Sequence, residues 1–302
     1  MAHFQPDLLE CLAAIVEEGG FDRAAKRLSI TQSAVTQRLH LLESQAGAVL
    51  IVRGRPLKAT PAGRILLKHT MQIRVLHSDT EHELRNLSHG AVGIFDEEDR
   101  VSIAVNADSI ATWALPAFSA LVQRGLNLEI IADDQDFTQE WLRDGQVLGC
   151  VTTFQQALRG CQVVPLGTMA YVAVASPAAI ERYCPNGLSP FSFRNLPFIA
   201  FGRKDHLQTE FITRAFHLKQ VKLKQCFVPS SKGQVHAALM GWGGTVVPEL
   251  LVRPQLATGE LVNLVPEMKL YLDLYWHCWN LNSALINALS EAVISAAKCA
   301  LT

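Results

Sequence analysis

Through the first ninety residues the apolar positions recur at helical spacing. Leu8, Leu9, Leu12, Ile15 and Val16 form one stripe over residues 7–18, and Gly19-Gly20 ends it. Phe21, Ala24, Ala25 and Leu28 predict a short second helix whose small residues suit close packing. Ser29-Ile30-Thr31 is a turn, and Thr31 is placed to cap a third helix running through Gln45, with Gly47 closing it. The apolar face of that helix is Ala34, Val35, Leu39 and Leu42; the opposite face carries Gln32, Ser33, Thr36, Gln37 and Arg38. Two short helices and a three-residue turn predict a helix-turn-helix. Its polar residues crowd the start of the third helix, the part that meets base edges and phosphates in the major groove. Glutamine pairs with adenine and hydroxyls donate to phosphate, although a solvated helical pair would show a similar face.

Val49–Val52 then reads as a short strand, Arg53-Gly54-Arg55-Pro56 as a basic turn, and Leu57-Lys58-Ala59 as the return. The hairpin is a wing with Arg53 and Arg55 at its tip. Thr60-Pro61 opens a long helix, with Thr at the cap and Pro at the first position. Its stripe of Ile65, Leu66, Ile73, Leu76, Leu84 and Leu87 needs a partner outside a compact head, and a second copy of the chain is the simplest.

From about residue 100 the pattern changes to strands alternating with helices, the mark of a parallel, helix-flanked sheet. Strands are predicted at 101–106, 126–132 and 147–153, with helices at 109–123 and 137–144. A second set has strands at 171–176, 197–201, 224–229 and 244–248, with helices at 177–183, 205–218 and 232–240. The strand 273–279 and helix 282–299 return to the first set. Two α/β lobes with two crossings place a ligand in the cleft beyond the strand ends. Asn106, Ala107, Asp108 and Ser109 stand at such an end and open a helix. The amides there suit a carboxylate and Asp108 an ammonium, while Asp108 or Ser109 also suits a simple helix cap. Thr152 and Thr153, Phe201 and Asp205, and Ser231 follow other strands; Ser231 too has the makings of a cap.

Charge separates the two halves. The net charge is −1, yet residues 21–75 hold ten Lys or Arg against two acids, +8, and the rest of the chain is −9. A basic segment on an acidic chain points to a polyanion partner. No apolar run is long enough to span a membrane, and the N-terminal residues lack a basic leader region, so neither a membrane helix nor a secretory signal is expected. The seven cysteines are odd in number, scattered and never spaced C-x-x-C, which predicts free thiols in a reducing cytoplasm and no metal site. There is no G-x-S-x-G, phosphate-binding loop or H-E-x-x-H, and His236 and His277 read as packed or solvated; no enzyme and no cofactor are expected.

The run from Ala24 to Gly63, AAKRLSITQSAVTQRLHLLESQAGAVLIVRGRPLKATPAG, resembles the N-terminal signature of LysR-type transcriptional regulators. The alanine pair, the Gln-Ser-Ala-Val opening, the Leu-Glu pair, the arginine wing and the Thr-Pro-x-Gly entry carry the resemblance. Thr31 and Thr36 stand where the family more often has serine, and Ile51 replaces a frequent phenylalanine. VSIAVNADSIATWALPAF, YCPNGL, GELVNLVP and YWHCW extend the resemblance over essentially the whole chain, toward the arginine- and lysine-responsive subgroup. The resemblance implies an α+β multidomain protein. Residues 1–58 would form the winged helix-turn-helix domain and 59–90 the linker and dimerisation helix. Residues 91–302 would form a periplasmic-binding-protein-like effector domain, with lobe I about 98–169 and 273–302 and lobe II about 170–272. It further implies a cytoplasmic regulator, a homodimer or homotetramer, that binds duplex DNA and acts with RNA polymerase. Lysine or arginine would modulate its DNA binding or activation and so control basic amino acid export or metabolism. Asp133, Asp134, Asp136 and Asp205 are acids available to a cationic side chain, although Arg203, Lys204 and His206 lie close by in sequence. A LysR-type regulator with a different effector, and a nucleoid-type DNA-binding protein with none, remain the alternatives.

Overall fold

The structure, a computed structural model, describes residues 4–52, 54, 57–89, 100–133, 138–185, 189, 191–219 and 221–302. Arg53, Arg55, Asp134 and Asp136 lie outside the described residues.

The head is built from α1 (Pro6–Glu17), α2 (Phe21–Arg27), α3 (Gln32–Ala46) and the antiparallel pair β1 (Ile51–Val52) and β2 (Lys58–Ala59). The 29-residue helix α4 (Pro61–His89) leaves it. Leu8, Leu9, Leu12 and Ile15 of α1 pack on Val35, Leu39 and Leu42 of α3, as the helical spacing predicts. The entry to α4 is fixed by sequence chemistry. The Thr60 hydroxyl donates to the Val49 carbonyl (2.7 Å) and accepts from the Gly63 amide (3.1 Å). A Cβ on Gly63 would fall 2.1 Å from the Leu50 carbonyl oxygen, so only glycine lets the helix approach β1 this closely.

The head core extends into α4. Leu66 and Leu67 are buried within it and Ile73 packs against it. This corrects the predicted dimerisation stripe: Leu66 and Ile73 are used inside the chain, because the first turns of the linker helix close the head. Ile65, Leu76, Leu84 and Leu87 stay exposed. Arg74 ties the helix to α1 through Glu10 (Nε–Oε1 2.8 Å, Nη2–Oε2 2.5 Å) and Glu17 (2.7 Å). Burial works against the Glu17 charge, but Arg74 and Arg27 together hold its carboxyl below the usual range.

The sensor begins with β3 (Arg100–Asn106), α5 (Ala107–Thr112), α6 (Ala114–Gln123), β4 (Asn127–Asp133), α7 (Thr138–Arg143), β5 (Gly149–Thr152) and β6 (Cys161–Ala175). It continues with α8 (Pro177–Tyr183), β7 (Phe198–Ala200), α9 (Leu207–Ala215), β8 (Gln225–Phe227), α10 (Ser231–Leu239), β9 (Gly244–Pro248) and α11 (Glu249–Thr258). The last elements are β10 (Val262–Asn263), β11 (Leu270–Trp279) and α12 (Ala284–Ala300). Among the described residues the strands form one nine-stranded sheet, ordered β4-β3-β5-β11-β6-β9-β7-β8, with β10 on β6. The long antiparallel pair β6 and β11 runs from one lobe to the other.

Several elements differ from the sequence pattern, among them α11 and β10, which it does not predict. The helix predicted at 109–123 breaks at Trp113, because Pro116 has no amide to donate to the Thr112 carbonyl and its ring crowds that position. The strand predicted from 171 begins at Cys161; it carries Pro165 and Gly167 because Leu166 between them bulges out of the pairing, which steps from Tyr275–Pro165 to Leu274–Gly167. Helix α11 forms despite Pro254 in its interior.

Candidate nucleic-acid interface and ligand cleft

On α3 the polar residues stand at the exposed start of the helix, and several are satisfied locally. Thr31 Oγ1 accepts from the Ala34 amide (3.2 Å) and lies 2.9 Å from Ser33 Oγ, while Thr36 donates to the Gln32 carbonyl (3.0 Å). Gln32, Ser33 and Gln37 are exposed on the same face. The Arg38 guanidinium is 3.8 Å from Asp7, a solvent-exposed pair that yields readily to a phosphate. The face is thus a preformed helix surface with two amides and a guanidinium pointing outward.

In the sensor, strand ends from both lobes line one narrow cleft. Asn106, Ala107 and Asp108 come from the β3–α5 junction and Asp133 from the end of β4. Phe201 and Asp205 come from the β7–α9 loop and Leu207 from the first position of α9, with Gln234 on α10 and Val246 on β9. Three carboxyl groups therefore converge: Asp108 and Asp133 from lobe I, Asp205 from lobe II.

Each acid is held differently. Tyr171 on β6 donates its hydroxyl to Asp108 Oδ2 (2.8 Å), and the Ser231 hydroxyl lies beside the same carboxyl without a well-formed hydrogen bond to it. Burial pushes the Asp108 carboxyl above the ordinary range and the Asp205 charge adds to the push, while Ser231 and Tyr171 act the other way. Asp205 accepts the Phe201 and Leu207 amides, each at 2.9 Å, and so fixes its own loop. Asp133 accepts the indole N–H of Trp141 (2.9 Å).

Asn106 and Ser109 are 1% and 0% exposed, yet both polar side-chain atoms of Asn106 and the Ser109 hydroxyl have no hydrogen-bond partner among the described residues. Buried polar groups left unpaired cost free energy, and a polar ligand removes that cost. The capping alternatives resolve geometrically: Ser230, not Ser231, caps α10 by accepting the Gly233 amide, and no side chain caps α5.

Of the predicted cleft residues, Asn106, Ala107, Asp108, Phe201 and Asp205 line it, Ser231 is buried beside the Asp108 carboxyl, and Ser109 is buried in α5 outside the lining. Thr153 is not brought into the lining; it follows β5, whose final residue Thr152 is buried and accepts the Phe154 amide. Tyr171 and Gln234 were missed. Both lie inside regular elements, where only the tertiary fold shows them facing the cleft.

Two family models cover most of the chain: "Bacterial regulatory helix-turn-helix protein, lysR family" matches residues 6–64, and "LysR substrate binding domain" matches residues 96–298. The HTH-type transcriptional regulator ArgP of Aeromonas salmonicida is 41% identical over 298 residues, 97% of each chain. The regulator LysG of Mycobacterium tuberculosis is 39% identical over 289 residues, 96% of this chain and 92% of that one. Among solved structures, ArgP from Mycobacterium tuberculosis matches with TM-score 0.84 at 37% identity, covering 97% of both chains. Full-length LysG from Corynebacterium glutamicum with bound effector Arg matches with TM-score 0.75 at 34% identity, covering 98% of this chain and 99% of that one.

Proposed function

The chain belongs to the LysR family of bacterial transcriptional regulators, and we propose that its effector is a basic amino acid, arginine or lysine, held in the cleft between the sensor lobes. The observation that carries this reading is the convergence of Asp108, Asp133 and Asp205 on a cleft that is also lined by buried Asn106, whose side-chain amide has no hydrogen-bond partner among the described residues. A guanidinium or ammonium supplies the positive charge that the acids call for. The Asn106 amide and the Ser231 hydroxyl are donors for the effector carboxylate. The arginine in the related LysG structure supports the same choice.

On the DNA side, Gln32, Ser33 and Gln37 read base edges, Arg38, Arg53 and Arg55 meet phosphates, and Thr31 and Thr36, whose hydroxyls bond the start of α3, hold that end of the helix in shape for the contact. The protein acts in the cytoplasm as a dimer or a dimer of dimers, with RNA polymerase as its further partner. Ile65, Leu76 and Leu87 recur every eleven residues, about three helical turns, so these exposed residues share one face for a second linker helix. The target is basic amino acid export or metabolism.

Calorimetry with arginine, lysine, norleucine and glutamate tests the effector. Arginine or lysine binds, norleucine binds at least about tenfold more weakly because it leaves the acids unpaired, and Asp108→Asn loses affinity for the basic ligand. Equal binding of norleucine and lysine, or no binding of either basic amino acid, overturns the assignment.

A further inference from the structure

Helix α7 touches both the ligand cleft and the linker helix. At its middle, the Trp141 indole donates to Asp133 Oδ2 (2.9 Å), and Asp133 lines the cleft. At its end, Asp144 Oδ1 is 3.1 Å from Arg64 Nε of α4. The next residue, Gly145, sits at φ +73° with its backbone against the same helix: a Cβ there would fall 2.5 Å from Lys68 Cα. Lys68 in turn donates to the Arg159 carbonyl (3.0 Å), a second tie between linker and lobe I.

Arg64 and Lys68 bracket Leu66 and Leu67, which are buried in the head core. The turn of α4 that receives α7 is therefore part of the head itself. The segment between the two contacts is stiff. Leu142 is fully buried in the sensor core, and the Gly145 and Gln146 amides donate back to Leu142 and Trp141 (3.2 and 2.9 Å). The junction also has room to change, since a cavity of about 880 Å³ opens between α7 and α4, lined by Arg64, Ile65, His69, Glu140 and Arg143.

We propose that α7 couples the effector cleft to the DNA-binding head, with Trp141 and Asp144 as positioning residues at its two contacts. This rests on the basic-amino-acid reading of the cleft. A guanidinium or ammonium beside Asp133 competes with the indole for the carboxylate. Loss or redirection of that hydrogen bond moves α7, and the Asp144–Arg64 and Gly145–Lys68 contacts pass the movement to the turn that closes the head. The effector then favours one docking of lobe I on the linker over another.

The test uses the full-length protein and a duplex it selects from a random library. Arginine changes the duplex affinity of the wild type by about tenfold. Trp141→Phe, which keeps the ring and removes the N–H, still binds arginine within about threefold but loses most of that change. Gly145→Ala, which forces the helices apart, does the same. A full arginine response in Trp141→Phe overturns the route. If arginine does not bind the wild type, the effector reading fails, and the route is judged without effector, as it is if arginine binds but leaves duplex affinity unchanged. Hydrogen exchange is then compared between Asp133→Asn and wild type. Faster exchange of amides 64–68 in the variant supports the coupling, and unchanged exchange overturns it.

Discussion

The head offers its ligand a surface, and the sensor offers a set of unmade bonds. On α3 the hydroxyls of Thr31 and Thr36 are already engaged within the helix, and the outward side chains stand in water. At the cleft, Asn106 and the adjoining Ser109 are buried without side-chain partners among the described residues, and Asp108 is ionised only against the cost of burial and a neighbouring charge. The head therefore loses little stability when its ligand is absent, and its affinity comes from counterion release and a few base contacts. A ligand that bonds these buried groups is held by more than surface contacts, and its differential affinity can shift the balance among lobe arrangements. That asymmetry suits a module that is always ready to bind DNA and a module that reports occupancy.

The comparison breaks most sharply at residues that hold only one of the two modules. Gly63→Ala places a Cβ against the Leu50 carbonyl, and we expect about 3 kcal/mol of lost head stability. Duplex binding falls away, while calorimetry with arginine stays near wild type; joint loss of both would mean that the modules do not fold separately. Leu66→Ala removes a buried side chain from the head core and costs about 2–3 kcal/mol in thermal unfolding. Leu76→Asp leaves that stability nearly unchanged and weakens self-association, measured by sedimentation, because Leu76 is exposed. Equal stability losses at the two positions would restore Leu66 to the dimer stripe.

The head was readable in the sequence because its determinants are local. Thr31 and Ala34 are three residues apart, as are Thr60 and Gly63, and each pair makes the hydrogen bond its spacing predicts. The cleft was readable only in part. Strand-end positions such as Asp108 and Asp205 follow from topology, but Tyr171 reaches Asp108 across 63 positions and looks like any strand residue. Thr153 stays outside the lining for a related reason: a strand end is a candidate, and only the sheet order decides which ends meet. Leu66 and Ile73 were misplaced because a helical stripe does not say where along its length the core stops and the partner begins.

Smaller effects sharpen the contrast. Gln32→Ala costs about 1–3 kcal/mol at one base position and relaxes preference there, read by competition among duplexes; a uniform loss on all sequences would move Gln32 to the phosphate contacts. Asp108→Asn has the smallest expected effect on the fold and the opposite sign. The folded carboxyl titrates above its unfolded value, so its ionised form penalises folding above that range, and the penalty disappears as pH falls below the unfolded value. The amide removes the penalty, so the variant melts higher than wild type near neutral pH, with the difference vanishing in acid. A lower melting temperature at neutral pH would mean that the Tyr171 and Ser231 contacts outweigh burial.

Coupling between the cleft and the DNA face is read by titrating arginine into the full-length protein with and without its selected duplex at saturation. Linkage requires the factor by which duplex changes arginine affinity to equal the factor by which arginine changes duplex affinity. A common factor of about ten is expected in both directions for arginine or lysine, with none for norleucine. One arginine affinity in the presence and absence of duplex would contradict it.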